Sequence, residues 1–235
     1  MRFILSTYCL LFSLCSYSSF AQHILFYNVE NLFDTLHDRG KNDFDFTPNG
    51  TYSYASPTYF LKIRQTARAL RSAMNTTEHT IDIIAVAEVE NRTVLLDLAK
   101  HKAIRNFGPW QIIHFDSPDR RGIDCGALIN LSTTRVILSK PITYSSGNFK
   151  TRDALLLVSR SASQKDSIDL TSVIVHLPSK RGGALKSEPF RKKALLAVLA
   201  ELDCDSAQNQ LIVGDFNDVS TADYFQNIID SGWTA

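Results

Sequence analysis

Cysteine is scarce: four residues in 235, two of them within the first fifteen, so that only Cys125 and Cys204 lie further on. Two cysteines without CxxC spacing make neither a thiolate metal site nor a disulfide framework. In an exported chain the pair could oxidise, yet Cys125 sits in an apolar run and reads as core. An excess of either charge is also lacking, since 25 Lys plus Arg stand against 24 Asp plus Glu. Any polyanion would therefore need a local basic patch rather than a global field. With ten glycines, seven prolines and no repeat or low-complexity tract, collagen-like and fibrous chains are excluded. A hydrophobic content of 44% excludes disorder and suits one globular domain with a sizeable core.

A membrane span is missing too, because the strongest apolar run covers about a dozen residues against the roughly 20 required. That run ends at Leu14, follows Arg2, and leads to Ser19-Phe20-Ala21, small residues where a signal peptidase reads. Residues 1–21 are expected to be an export signal, which makes residues 22–235 periplasmic or secreted. A lipid anchor at Cys15 is disfavoured by the bulky Leu14 before it. Without the signal the chain keeps 24 basic and 24 acidic residues.

From Gln22 onward, short runs rich in Ile, Val and Leu alternate with stretches of helical period, the pattern of a layered α/β domain. Strands are expected at His23–Tyr27, Ile81–Ala87, Trp110–Phe115, Asp124–Asn130, Arg135–Leu138, Ala154–Ser159, Ile168–Val175 and Leu211–Val213. Eight strands exceed what one small sheet needs. In Tyr59–Met74 the residues Phe60, Ile63, Ala67, Leu70 and Met74 recur every three or four positions and predict a helix with one buried stripe. Ser187–Leu202 is read likewise, with Ser187 as cap, Pro189 in the first turn, and Arg191, Lys192 and Lys193 off the apolar stripe. A further helical stretch covers Thr221–Ile229. Residues Arg39–Tyr54 show no period and are expected to be a long surface loop.

Polar residues concentrate where apolar runs stop. Asn28 and Glu30 follow the first run, Glu88 and Glu90 the second, His176 follows Ser172–Val175, and Asp215 and Asn217 follow Leu211–Val213. Active sites are commonly assembled on such strand ends. The set is rich in oxygen and holds one His, which favours Mg²⁺, with Mn²⁺ or Ca²⁺ as alternatives, over zinc. Mg²⁺ typically takes one or two carboxylates plus waters and substrate phosphate, so a phosphate ester is the natural substrate class. Taken singly, each has a plainer reading: a turn former at Asn28, a solvated acid at Glu88, a structural His176, an Asx turn at Asp215 and Asn217.

Four segments in order, Phe26-Tyr27-Asn28-Val29-Glu30-Asn31-Leu32-Phe33, Ala87-Glu88-Val89-Glu90-Asn91, His176-Leu177-Pro178-Ser179 and Gly214-Asp215-Phe216-Asn217, resemble the motifs of the endonuclease/exonuclease/phosphatase family. The resemblance runs from about His23 to the end of the chain. It implies a four-layer α-β-β-α sandwich of two packed mixed sheets, with a divalent-metal site at one end. By motif, Glu88 would be the main metal ligand with Asn28 in or near the metal shell. Asp215 would orient or deprotonate the attacking water, and Asn217 and His176 would bind the scissile phosphate. Arg152 resembles the family's phosphate-contacting arginine, and Asp124 would orient His176. Glu90 and Asn91 are read as shaping their loop.

The family's final motifs, a late Asp and a Ser-Asp-His, are not found, and no His follows His176. The resemblance thus implies a sandwich incomplete at its C-terminus. The expected activity is a metal-dependent phosphoester hydrolase, an exported nuclease or phosphodiesterase, with nucleic acid the favoured substrate and a lipid or small-molecule phosphodiester next. The alternative is an inactive remnant or a phosphate-binding module. Lys180, Arg181, Lys186 and Arg191 to Lys193 form the densest basic stretch, read equally as phosphate contacts or as a solvated face. No stable protein partner is implied. Asn75, Asn91 and Asn130 match glycosylation acceptor triplets, a pattern too frequent to decide anything.

Overall fold

The computed structural model describes residues 21–145, 150–162, 168–180, 182–202, 209–230 and 232–234. The expected signal peptide, Arg181 and Cys204 fall outside them, apart from Ala21. Two four-stranded sheets form the centre. The first has the order β1-β2-β4-β3, built from β1 (Ile24–Leu32), β2 (Ile83–Val89), β3 (Trp110–His114) and β4 (Asp124–Asn130). The second has the order β5-β6-β7-β8, from β5 (Thr134–Ile142), β6 (Ala154–Ser161), β7 (Leu170–His176) and β8 (Asn209–Asp215). Each sheet is mixed: β1 and β2 run parallel, as do β7 and β8, and the other neighbours are antiparallel.

Alternation along β2 explains the layering. Ile84 and Val86 point one way, into a core with α1 (Ser56–Met74) and α2 (Arg92–Lys100), while Ile83 and Ala85 point the other way. That second face meets Ile113, Cys125, Ala127, Ile129, Leu155, Leu157 and Ile174 between the two sheets. On the far side, Leu156, Val173 and Val175 pack against α3 (Ala184–Ala200) and α4 (Asp223–Asp230). The order is helix, sheet, sheet, helix, as expected. A strand buried on both faces must be apolar at every position, and each such side chain contributes about 1.5–3 kcal/mol. Cys125 is a buried free thiol in the inter-sheet core.

Several local expectations are corrected. In α1, Phe60 is 58% exposed and Tyr59 occupies the stripe instead, because its hydroxyl donates to Asp97 on α2 at 2.8 Å. The predicted α3 begins earlier, so Ser187 lies inside it and Pro189 in its second turn. Arg191 is not on a solvent face; it is 1% exposed. The segment Arg39–Tyr54 is not merely surface: Asp43, Thr47 and Tyr54 are buried, and Phe46 stacks on Phe33 at a 4.1 Å centroid distance. Helix α2 was not anticipated, although Asn91 caps it by accepting from the Val94 N–H at 3.0 Å. Asn130 is buried, its amide donating to Ile81 and Phe107 carbonyls, which removes it as a glycosylation acceptor. Among the described residues no helix is long and apolar enough to cross a membrane.

Candidate active site

Parallel neighbours end on the same side of a sheet. The β1–β2 pair of one sheet therefore delivers Asn28 and Glu88 together, and the β7–β8 pair of the other delivers His176 opposite Asp215 in register. Because β2 lies against β7 and β8, and β1 against β8, the two pairs of strand ends meet. Asn28 bridges them: its amide donates to Glu88 Oε1 at 3.2 Å and to Asp215 Oδ2 at 3.1 Å. His176 Nε2 stands 3.5 Å from Glu88 Oε1 and 3.9 Å from Asp215 Oδ2. Residues separated by as many as 187 positions thus converge on one point.

The strands are distorted where they carry these groups. Bulges follow Asn28 in β1 and Ala87 in β2. Glu30, Asn31 and Glu88 take φ values of +55°, +61° and +66°. A left-handed backbone at non-glycine residues costs of order 1–3 kcal/mol and persists only where neighbours enforce it. Here Lys62 of α1 donates its ammonium to the carbonyls of Glu30 and Asn31, and the Glu30 N–H donates to Asn28 Oδ1 at 2.9 Å. Sequence reading missed Lys62, which falls one residue before the apolar Ile63 and carries no motif. Glycine is required at 214, where φ is +152° and a Cβ would stand 1.9 Å from the Val175 carbonyl oxygen across the parallel ladder.

Beyond β8, Asp215 Oδ1 accepts from the Asn217 N–H at 2.9 Å, an Asx turn, and Asn217 takes φ +51°. The Asn217 amide donates to the Leu177 carbonyl at 2.9 Å. The turn and the site are therefore one structure. Arg152, expected at a phosphate, is buried and directs its donors to the His176 carbonyl at 2.8 Å and the Leu177 carbonyl at 2.6 Å, with Asp119 3.7 Å away. It positions the segment that carries His176. Asp124 does not reach His176. It accepts from the Ser117 N–H and pairs with His114 Nε2 at 3.1 Å, because β4 begins on the far side of β2 from β1. His176 Nδ1 is consequently buried without a hydrogen-bond partner.

Burial first, then the charges of Arg152 and Arg121, push the His176 pKa down to about 2, so the imidazole is neutral at ordinary pH. A neutral ring has one proton, and on Nε2 it faces the carboxylate pair. Glu88 and Asp215 form no ion pair with Lys or Arg among the described residues. Two hard carboxylates beside an amide and an uncharged imidazole leave negative charge uncompensated, a donor set that fits Mg²⁺ or a similar cation.

A second arginine was also misread. Arg191 Nε donates to Asp218 at 2.9 Å, and its other nitrogens donate to Ser187 Oγ at 2.7 Å, the Ala184 carbonyl at 3.2 Å and the Pro178 carbonyl at 3.4 Å. Asp218 also accepts from Lys180 at 2.7 Å and Tyr224 at 3.1 Å. Residues 187, 191, 194, 195 and 198 are all buried and keep helical spacing, so the stripe itself pointed to Arg191. Next to these loops lies an open cavity of about 420 Å³ lined by Arg120, Arg121, Lys150, Arg152, Ser179 and Lys186 among others.

A model described as the endonuclease/exonuclease/phosphatase family matches residues 23–232. The chain belongs to that family. Members of the family are phosphoesterases, among them nucleases and phosphatases. Solved structures agree on the fold. A mannosyl-6-phosphatase from Bacteroides thetaiotaomicron superposes with a TM-score of 0.55 at 13% identity, covering 90% of this chain and 71% of its own. D. rerio TDP2 complexed with single strand DNA product gives 0.53 at 18%, covering 88% and 64%. ANGEL2, a 2',3'-cyclic phosphatase, gives 0.59 at 13%, covering 88% of this chain and 56% of its own. Among curated proteins none matches the sequence.

Proposed function

We propose that this chain is an exported, divalent-metal-dependent phosphodiesterase acting on nucleic acid. The observation that carries the reading is the convergence of Asn28, Glu88, His176 and Asp215 from two sheets onto one point. Glu88 would hold the cation, with Asn28 in or near its shell and Mg²⁺ as the first candidate, Mn²⁺ or Ca²⁺ as alternatives. Bound there, the cation would neutralise charge developing on the phosphoryl oxygens and acidify a water. Asp215, held at Oδ1 by the Asn217 N–H, keeps Oδ2 on the site side to orient a water and take its proton. Neutral His176 donates from Nε2 to a non-bridging phosphate oxygen as negative charge builds. Asn217 holds the turn with one hydrogen of its amide on the Leu177 carbonyl and would bind phosphate with the other.

The cavity beside the site supports a polyanionic substrate. Arg120, Lys150 and Lys186 line it with Arg121 and Arg152, and Asp119 is the single acid among its described lining residues. Cations grouped in this way attract phosphates even when the net charge of the chain is close to zero. Among the relatives, TDP2 is described with a single strand DNA product, ANGEL2 as a cyclic phosphatase and the Bacteroides protein as a sugar phosphatase. The breadth of those names leaves substrate class to the surroundings of the site. Export rests on the sequence of residues 1–21.

The test is hydrolysis of plasmid DNA and of bis-p-nitrophenyl phosphate by protein lacking residues 1–21, with Mg²⁺ or with EDTA, beside Asp215→Ala. Metal-dependent turnover lost in the variant is expected, and nicking of DNA selects the nuclease. Folded protein that turns over neither substrate with any of the three cations would refute the catalytic reading. N-terminal sequencing of the secreted product, expected to begin at Gln22, tests export.

A further inference from the structure

The loop between β1 and α1 gathers a second set of acids. Asp38 and Asp43 come from the loop and Glu90 from just beyond β2, and a carboxylate oxygen from each lies within 4.8 Å of the other two. Asp34 joins them, its N–H donating to Glu90 Oε2 at 2.6 Å. Hydrogen bonds account for both oxygens of Asp43, through the His37 ring nitrogen and the Asp38 N–H. They do not account for Glu90. That side chain is 3% exposed, and its Oε1 has no hydrogen-bond partner. The buried hydroxyl of Tyr54, within the field of Glu90 and Asp34, has none either.

Counter-charge is also short. Among the described residues none of the four acids pairs with Lys or Arg, and the His37 ring against Asp43 is their one basic neighbour. Lys41, on the same loop, turns its ammonium to the carbonyls of Ser117 and Asp119. A buried carboxylate oxygen without a donor is costly, and a cation removes that cost at once.

We propose that Asp38, Asp43 and Glu90 form a second divalent-cation site, of Ca²⁺ type, separate from the Glu88–Asp215 centre, which fastens the β1–α1 loop to the end of β2. Mg²⁺ usually takes one or two carboxylates and keeps its waters, whereas three carboxylates from an irregular loop and a strand end suit Ca²⁺. One ion with oxygens at roughly 2.3–2.6 Å spans ligand atoms separated by this much. The Glu90 N–H donates to the Leu32 carbonyl at 3.1 Å, so the fastening reaches the bulged ends of both β1 and β2. The proposal does not depend on the catalytic reading.

The experiment uses protein stripped with EDTA and Ca²⁺ alone as the probe, in a Glu88→Gln, Asp215→Asn background that disables the other centre. Calorimetry is expected to show one site, and the Tm to rise by about 5–10 °C at a hundredfold excess over Kd. Asp38→Asn, on an exposed side chain that the fold does not need, should weaken binding at least tenfold, and Asp43→Asn should abolish it. Mg²⁺ at equal concentration should shift the Tm less. Absence of heat and of any Tm shift up to about 10 mM Ca²⁺, above even the weak class of such sites, overturns the proposal. So does binding that Asp38→Asn and Asp43→Asn leave intact.

Discussion

Replacing Arg191 with Met tests whether one guanidinium couples two loops of the site. The arginine is fully buried and donates to Asp218, Ser187 and the carbonyls of Ala184 and Pro178. Removing one partner of a buried ion pair costs about 3–5 kcal/mol. Asp218 retains Lys180 and Tyr224 as donors, so the lower end applies, about 3 kcal/mol. For a domain of this size that lowers Tm by about 6–12 °C. Urea unfolding at neutral pH of Arg191→Met, Asp218→Asn and the double variant would give the coupling, expected near 2 kcal/mol. Arg191→Lys keeps charge but loses the fork of donors and should recover less than half the loss. A single-variant loss below about 1 kcal/mol, or strict additivity in the cycle, would refute the coupling.

Gly214→Ala drives a Cβ into the Val175 carbonyl at a φ that L-residues avoid, and should cost more than about 3 kcal/mol or prevent folding, read by circular dichroism. Asn91→Ala removes the cap of α2 and should lower stability by about 1 kcal/mol in urea titrations. Asp218 has its pKa set by opposing causes: burial raises it, while hydrogen bonds from Lys180, the Val219 N–H and Tyr224 and the charge of Arg191 lower it, to about 2 overall. Its folded pKa is depressed from 3.8, so its stabilisation is complete above pH 3.8 and lost as pH falls through about 2. Asp218→Asn should flatten acid unfolding over that window. In the proposed reaction, Lys186→Ala and Arg120→Ala should each reduce the slope of log affinity for DNA against log salt by about 1; unchanged slopes would remove the cavity from the substrate path.

The layering was legible because it rests on alternation. The run Ile83–Ala87 is apolar at every position, as a strand covered on both sides requires, and eight strand segments exceed what one small sheet needs. The convergence of Asn28, Glu88, His176 and Asp215 was legible as polar punctuation after those runs. What escaped depends on three-dimensional partners. Asp124 looked available for His176, but local sequence does not record that β4 lies on the far side of β2 or that His114 is its partner. Arg191 was read equally as a phosphate contact or as part of a solvated helix face, and both readings fail where Asp218, 27 residues on, folds back to meet it, a burial rare for Arg. Tyr59 displaced Phe60 from the stripe for the same kind of reason, an Asp97 on a helix that the periodicity did not reveal.

Arg152 and Arg191 together suggest why the site tolerates so much distortion. Three consecutive carbonyls from the end of β7 onward accept from side chains: His176 from Arg152, Leu177 from Arg152 and Asn217, and Pro178 from Arg191. A strand end that turns away from its ladder leaves such acceptors orphaned, and buried ones cost about 1–3 kcal/mol each unless satisfied. Guanidinium groups meet that need with several fixed donors and a charge that burial does not remove. The same charge has an electrostatic consequence, since it adds to burial, the larger cause, in disfavouring a proton on His176 beside two carboxylates. Geometry and part of the bias toward the neutral ring thereby come from one side chain. Substituting Arg152 with Met should loosen the His176–Leu177 backbone and raise the imidazole pKa together, which NMR titration of the His176 ring would resolve. A ring that stays neutral down to the wild-type limit in a destabilised variant would separate the two roles and assign the neutrality to burial and Arg121.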